Sequence, residues 1–145
     1  MKGLVIVQDQ SAERILRFLS ALDHDFTPPL SSRVNLDEYS RKLSRYAKNL
    51  FASTGNADVG HAAFYSNDIQ ERFAFISSIA VTEQYRGTSL ASDLLDAVIL
   101  ECKLDGMQSI CLEVAPCNAK AISFYQSFGF KRIKYNSMKL KLRAR

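Results

Sequence analysis

The chemistry of this chain starts at a short turn, Gln84-Tyr85-Arg86-Gly87-Thr88-Ser89, set between the apolar run that ends at Val81 and an amphipathic stretch that begins at Leu90-Ala91. A small-residue turn from strand to helix is an anion site. The first backbone N–H groups of a helix have no intrahelical partner, and the helix dipole adds roughly half a positive charge there. Spacing narrows the ligand. Gly87 is the only glycine of the turn, so neither G-x-G-x-x-G nor G-x-x-x-x-G-K-[ST] is present, which disfavours a dinucleotide fold and a P-loop. What remains is Gln84-x-x-Gly87-x-Ser89, followed by Leu90, Leu94, Leu95, Val98, Ile99 and Cys102 near helical period. Further on, Leu112 to Phe130 gives a second strand, turn and helix. Asn118 is a natural N-cap there, Phe124 and Phe128 form an apolar stripe, and Gly129 is a helix stop.

Together the two segments resemble the signatures of the GNAT family of N-acetyltransferases, over residues 73 to 135. The first resembles the family's acetyl-CoA pyrophosphate loop, Gln/Arg-x-x-Gly-x-Gly/Ala, in which Gln84 and Gly87 match and Ser89 departs. Serine adds a Cβ and a hydroxyl that could itself donate to phosphate. The second resembles the family's helix signature at Asn118, Ala121, Phe124-Tyr125 and Gly129-Phe130. The resemblance implies acetyl-CoA as co-substrate and no metal. It implies that Gln84, Arg86, Gly87, Thr88, Ser89, Leu90 and Ala91 hold the pyrophosphate. The pantetheine arm would lie against the backbone of Ile79, Ala80 and Val81, with Asn118 on its other side. Tyr125 would be the general acid that meets the thioester sulfur. In the similar ribosomal-protein alanine N-acetyltransferases a Leu-Glu-Val strand carries the base, so Leu112-Glu113-Val114 implies that Glu113 acts as base through water; a carboxylate that pairs with a cation or orients substrate is the equal alternative. Glu83 is the second candidate for the base. His61 reads as a packed or edge histidine. Cys117 lies beside Asn118, but neither histidine is near it in sequence, and direct transfer is favoured over a cysteine nucleophile.

Acetyl transfer from a thioester needs a neutral amine and a proton for the departing thiolate. Deprotonating a lysine-like amine of pKa about 10.4 at pH 7 costs roughly 4.6 kcal/mol, whereas an α-amino group near 7.7–8.0 costs only about 1 kcal/mol. The acceptor expected first is a small-molecule amine, an amino sugar among the choices, and second a peptide N-terminus. The family's first helices and the loop between them form the acceptor side, here Phe26 to Val34, the Asn35 helix and the hairpin around Tyr65 to Asp68. Arg33, Arg41 and Lys42 could meet a phosphorylated amino sugar, although a solvated helix face explains them better. A module that binds acyl-CoA without turnover is the rival function, motivated by Ser89.

The elements that must position these residues follow from periodicity. Leu4 to Val7 reads as a strand, Ser11 to Leu22 as a helix with Ile15, Leu16, Leu19 and Leu22 inward, and Asn35 to Lys48 as a second helix with Leu36, Tyr39, Leu43, Tyr46 and Ala47 on one face. Strands at 49–54, 58–66 and 71–81 form a meander with turns at Gly55-Asn56 and Ser66-Asn67-Asp68. A helix over 89–104, a strand over 108–114, a helix over 118–128 and strands near 130–135 and 137–143 complete the chain. The helical crossover makes strands 73–81 and 108–114 parallel, so Gly87 to Ala91 and Asn118 should flank one crevice. The fold class expected is α/β (α+β): one N-acetyltransferase domain over 1–145, a mixed and mostly antiparallel sheet with one parallel pair splayed around acetyl-CoA, and helices on both faces.

A chain of 145 residues can bury about two thirds of its unfolded surface without staples. Its three cysteines lack metal spacing and fit reduced thiols in a cytoplasmic protein, with Cys102 and Cys111 as small core residues. The apolar run Leu4 to Val7 is too short for a leader, and no stretch approaches a membrane span. The net charge of +4 owes much to Lys131, Arg132, Lys134, Lys139, Lys141, Arg143 and Arg145. A basic surface would steer a polyanionic cofactor, while Lys139-Leu140-Lys141-Leu142 reads as an edge strand protected by lysines. Aromatic residues are not interleaved as on a nucleic-acid surface, and neither nucleic acid nor membrane is expected as a partner, whereas a homodimer is compatible with the chain.

Overall fold

The computed structural model describes residues 3–143; Arg145 of the basic cluster lies outside them, as do Met1, Lys2 and Ala144. Seven strands and four helices are present: β1 (Val5–Gln8), α1 (Ala12–Ala21), α2 (Leu36–Tyr46), β2 (Lys48–Ser53), β3 (Asp58–Tyr65), β4 (Phe73–Val81), α3 (Leu90–Leu104), β5 (Ser109–Glu113), α4 (Ala119–Ser127), β6 (Lys131–Lys134) and β7 (Ser137–Lys141). Short 3-10 turns stand at Asp23–Asp25, Leu30–Ser32 and Glu83–Tyr85. The helix starts are set by side-chain caps. Ser11, Asn35 and Asn118 accept from the amides of Arg14, Glu38 and Ala121.

The strands form one sheet in the order β1-β2-β3-β4-β5-β7-β6, antiparallel except for β4 and β5. Helices cover both faces, as expected. On one face α3 and α4 bury Leu94, Leu95, Val98, Ile122 and Tyr125 against Ala62, Phe64, Ala74, Ile76, Ile110 and Leu112. On the other, α1 and α2 bury Ile15, Phe18, Leu19 and Leu43 against Phe51 and Ala63. Gly60 lets α3 come close, because a Cβ there would stand 2.8 Å from Leu94 Cδ1. Among the described residues no helix is long and apolar enough to cross a membrane.

Four expectations are corrected. Phe18, not Leu16, shares the buried stripe of α1, since the inward positions are 15, 18, 19 and 22. Tyr46 is 55% exposed, because Ser40 takes the inward position of α2 and the stripe runs 36, 39, 40, 43, 47. Lys139 does not guard an edge: β7 lies between β5 and β6 as far as Lys139, the last β7 residue that pairs with β6, and the outer edge there is β6. Cys102 is fully buried, but Cys111 is half-buried on the sheet face opposite α3.

Candidate active site

β4 and β5 pair in parallel from Phe73↔Ser109 to Ile76↔Leu112 and then part. Beyond that point β4 continues through Ser77 to Val81 with no partner on its β5 side, while Glu113 pairs with Ser137 of β7. The divergence has a local cause. Opposite β3, Ile76 pairs with Phe64 and Ser78 with Ala63, which leaves Ser77 as an extra residue, and such a bulge bends the strand that carries it. Tyr39 on α2 shares a 2.5 Å hydrogen bond with the Ser77 hydroxyl, so the bulge is held from the α1/α2 face. Burial of the neighbouring Tyr65 raises its hydroxyl pKa, and Tyr39 adds to the rise. The Ser78 hydroxyl is sealed and unpartnered.

Glu113 and Tyr125 lie on opposite sides of the sheet. Ile110 and Leu112 pack toward α3 and α4, so alternation along β5 turns Cys111 and Glu113 to the other face, where Glu113 is exposed. Tyr125 belongs to the α3/α4 side. It packs edge-on to Phe124 and Phe130 with ring centroids 5.2 and 5.5 Å away and is 8% exposed. Its hydroxyl has no protein hydrogen-bond partner yet is not among the sealed unpaired polar atoms, so part of that small exposure is the hydroxyl itself. Burial pushes the Tyr125 pKa well above its usual value. The group therefore stays a neutral donor at every pH near physiological, and is a weaker acid than a free phenol.

The phosphate turn is open in its backbone and closed in some of its side chains. Gly87 takes φ +79°, the left-handed region, and a Cβ at that position would meet nothing within 4 Å, so the glycine is there for conformation and not for space. Among the described residues the N–H groups of Gly87, Ser89, Ala91 and Ser92 have no protein partner, and the first-turn N–H of Leu90 meets the Thr88 hydroxyl at 3.3 Å. The Ser89 hydroxyl, expected to be free for phosphate, instead donates to Asp93 Oδ2 at 3.1 Å. Arg86 pairs with Asp25 at 2.9 Å and reaches the Val81 carbonyl at 3.5 Å, which ties the turn to the segment after α1. Asn118 uses Oδ1 as a cap and keeps its amide NH₂ free of protein partners.

The remaining candidates have structural surroundings. His61 is buried beneath α1 and bonded to Asn49. Burial raises the Cys102 thiol to about 12 and makes it inert, and Arg41 is ion-paired with Asp37 on its own helix. Among the described residues no group of three or more His, Cys, Asp or Glu is placed to hold a metal. The sequence reading gives Tyr39 only as a packing residue of its helix and does not single out Ser77, Asp25 or Asp93. Its one signal is Ser77-Ser78 inside the otherwise apolar Phe73 to Val81.

Among the described residues the sheet opens between its one parallel pair, beside a helix N-terminus with free amides. The chain matches the sequence model of the acetyltransferase (GNAT) family over residues 15–130 and belongs to that family. It is 38% identical over 60 residues to an N-alpha-acetyltransferase 30 of Schizosaccharomyces pombe, a match that spans 41% of this chain and 40% of that protein. The ribosomal-protein-S18-alanine N-acetyltransferase of Escherichia coli superposes with a TM-score of 0.79 at 20% identity, covering 98% of this chain and 96% of that one. A GNAT family acetyltransferase of Elizabethkingia anophelis, solved with acetyl-CoA bound, superposes at 0.76 with 16% identity, over 98% of this chain and all of that one.

Proposed function

We propose that residues 1–145 form a catalytic domain that carries an acetyl group from acetyl-CoA to the α-amino group of a polypeptide. The observation that carries this reading is the parting of β4 from β5, which leaves the edge of Ser77 to Val81 free between the phosphate turn and the pair Glu113 and Tyr125. In this reading the free amides of Gly87, Ser89, Ala91 and Ser92 take the pyrophosphate, and the backbone of Ile79, Ala80 and Val81 bonds the pantetheine as a neighbouring strand would. The free amide group of Asn118 bonds it from the other side. Glu113 takes the amine proton through water on the α1/α2 face. Tyr125 gives a hydrogen bond to the sulfur from the α3/α4 face, so nucleophile and leaving group are served from opposite sides of the sheet. Acetyl-CoA supplies the activated acyl group.

An α-amine is favoured over a lysine because it needs only about 1 kcal/mol of deprotonation at pH 7, which suits a single exposed carboxylate. The identity with an N-alpha-acetyltransferase supports the same choice. A small-molecule amine, the first choice from sequence alone, becomes the second reading; of Arg33, Arg41 and Lys42, which could meet a phosphorylated amino sugar, Arg41 is engaged by Asp37. The test is release of free thiol from acetyl-CoA with a panel of peptides and small amines, with the products mapped by mass spectrometry. α-Acetylated peptide is expected. Thermal stabilisation by acetyl-CoA without thiol release toward any amine would make the chain a binding module instead.

A further inference from the structure

Lys139, paired on both sides, protects no edge and needs another account, and Lys141 shares its face. Lys139 and Lys141 lie on the interior strand β7, opposite Cys111 and Ser109 of β5, and pairing puts all four on the face away from α3. This face is not covered, because α1 and α2 pack over β2 and β3. Here Phe73, Ser109, Cys111, Gln108, Lys139 and Lys141 line an open groove of about 540 Å³. Glu71 and Leu142 line it too, and Lys131 of β6 pairs with Lys139. Among the described residues no carboxylate lies within ion-pair distance of Lys131, Lys139 or Lys141. The groove is thus mixed along its β4 and β5 side, where Phe73 is 43% exposed beside Gln108, Ser109 and Cys111, and cationic along its β7 side at Lys139 and Lys141.

The groove is continuous with the proposed catalytic carboxylate. Cys111 and Ser109 precede Glu113 on the same face by two and four residues, which at about 3.3 Å per residue puts Lys139 and Lys141 roughly 7 and 13 Å from it along the strand. We propose that this face is a docking track for the acceptor, and that the acceptor it fits is a polypeptide whose third to fifth residues are acidic. An extended chain with its amine at Glu113 brings those residues over Lys139 and Lys141. The proposal rests on the acetyltransferase reading for where the amine lies, but the charge preference can be read without turnover.

The experiment uses two fluorescent decapeptides with free N-termini and the same first two residues, one with Glu at positions 3–5 and one with Ser there. Anisotropy gives their affinities for the protein, and thiol release gives their kinetics. The acidic peptide is expected to bind roughly tenfold more tightly, through KM and not kcat, and to lose that advantage between low and high salt, as two exposed charge pairs would. The double variant Lys139→Glu/Lys141→Glu is expected to abolish the preference. Equal affinity of the wild type for both peptides overturns the proposal, as does a preference that survives the double variant. Charge-dependent binding without any thiol release upholds the docking track and rejects the transferase reading. A change of oligomeric mass in the double variant, seen by sedimentation, assigns the face to a second copy and overturns the peptide.

Discussion

Acidification from pH 7 to 4.5 should destabilise this protein through one side chain, His61. The imidazole is 1% exposed, packs on Phe51 and Phe18 with centroids 4.8 and 5.8 Å away, and lies 3.0 Å from Asn49 Oδ1 through Nε2. Asn49 donates its own NH₂ to the carbonyls of Leu43 and Ala47, so its Oδ1 must accept and Nε2 must carry the proton. Nδ1 is then a sealed acceptor without a partner. Protonating it would leave a buried charge with a donor that meets nothing, and desolvation lowers the pKa from 6.5 to about 4; nearby Asp58 opposes the shift and Arg14 adds to it. Because the folded pKa is depressed, the unfolded chain binds the proton first. Stability is complete above pH 6.5, falls as pH drops toward 4, and levels off below that. At 1.36 kcal/mol per unit the full loss is about 3 kcal/mol, of which on the order of 2–3 kcal/mol is reached at pH 4.5. Asp9 and Asp23, both held below the usual 3.8 by hydrogen bonds, to Arg14 and Ser31 first, act at lower pH and leave the window to His61. Urea unfolding at pH 7, 6, 5 and 4.5 measures the slope. His61→Gln, which keeps a donor toward Asn49, should be less stable at pH 7 and flat across the window. A flat wild type, or a variant with the wild-type slope, would refute the reasoning.

Three further outcomes concern the site. Tyr125→Phe should lower kcat by about tenfold or more while the acetyl-CoA Kd stays within about twofold, measured by thiol release and calorimetry; unchanged turnover would remove Tyr125 from the chemistry. Glu113→Gln should lower kcat/KM most at the low end of the pH profile, where the amine is protonated, and a uniform rate at every pH would leave the carboxylate without a role as base. Asp93→Asn should tighten acetyl-CoA about two- to fivefold, since a carboxylate at this helix end opposes an incoming phosphate by about 0.3–1 kcal/mol, and weaker binding would show that the Ser89 to Asp93 bond shapes the turn instead.

Much of this fold is legible in the sequence because its signals are local. Ser11, Asn35 and Asn118 cap helices where the sequence places their starts, and alternation shows in the burial of the first half of β4, whereas β3 is covered on both faces. The strand-turn-helix at Gly87 and the parallel pair follow from chain order alone. What fails depends on neighbours. Nothing in Lys139-Leu140-Lys141 says that β7 inserts between β5 and β6, so edge and interior cannot be told apart. Leu16 and Tyr46 fit an apolar stripe by type and miss it by angle. The bulge at Ser77 exists only against the register of β3, and it decides where the site opens. The Ser89 hydroxyl is within reach of an incoming phosphate by type and position, but Asp93, one helical turn on, has already claimed it.

The parting of β4 and β5 also bears on how the empty protein avoids sticking to itself. An unpaired strand edge is a template for another chain, and sheets elsewhere hide such edges with charge, brevity or a covering helix. Here the edge of Ser77 to Val81 lies in the middle of the sheet, joined to β5 at one end and barred by the phosphate turn at the other. Its place inside the sheet, with β3 along one side and β5 at its root, gives a second chain's strand less access than an outer edge would.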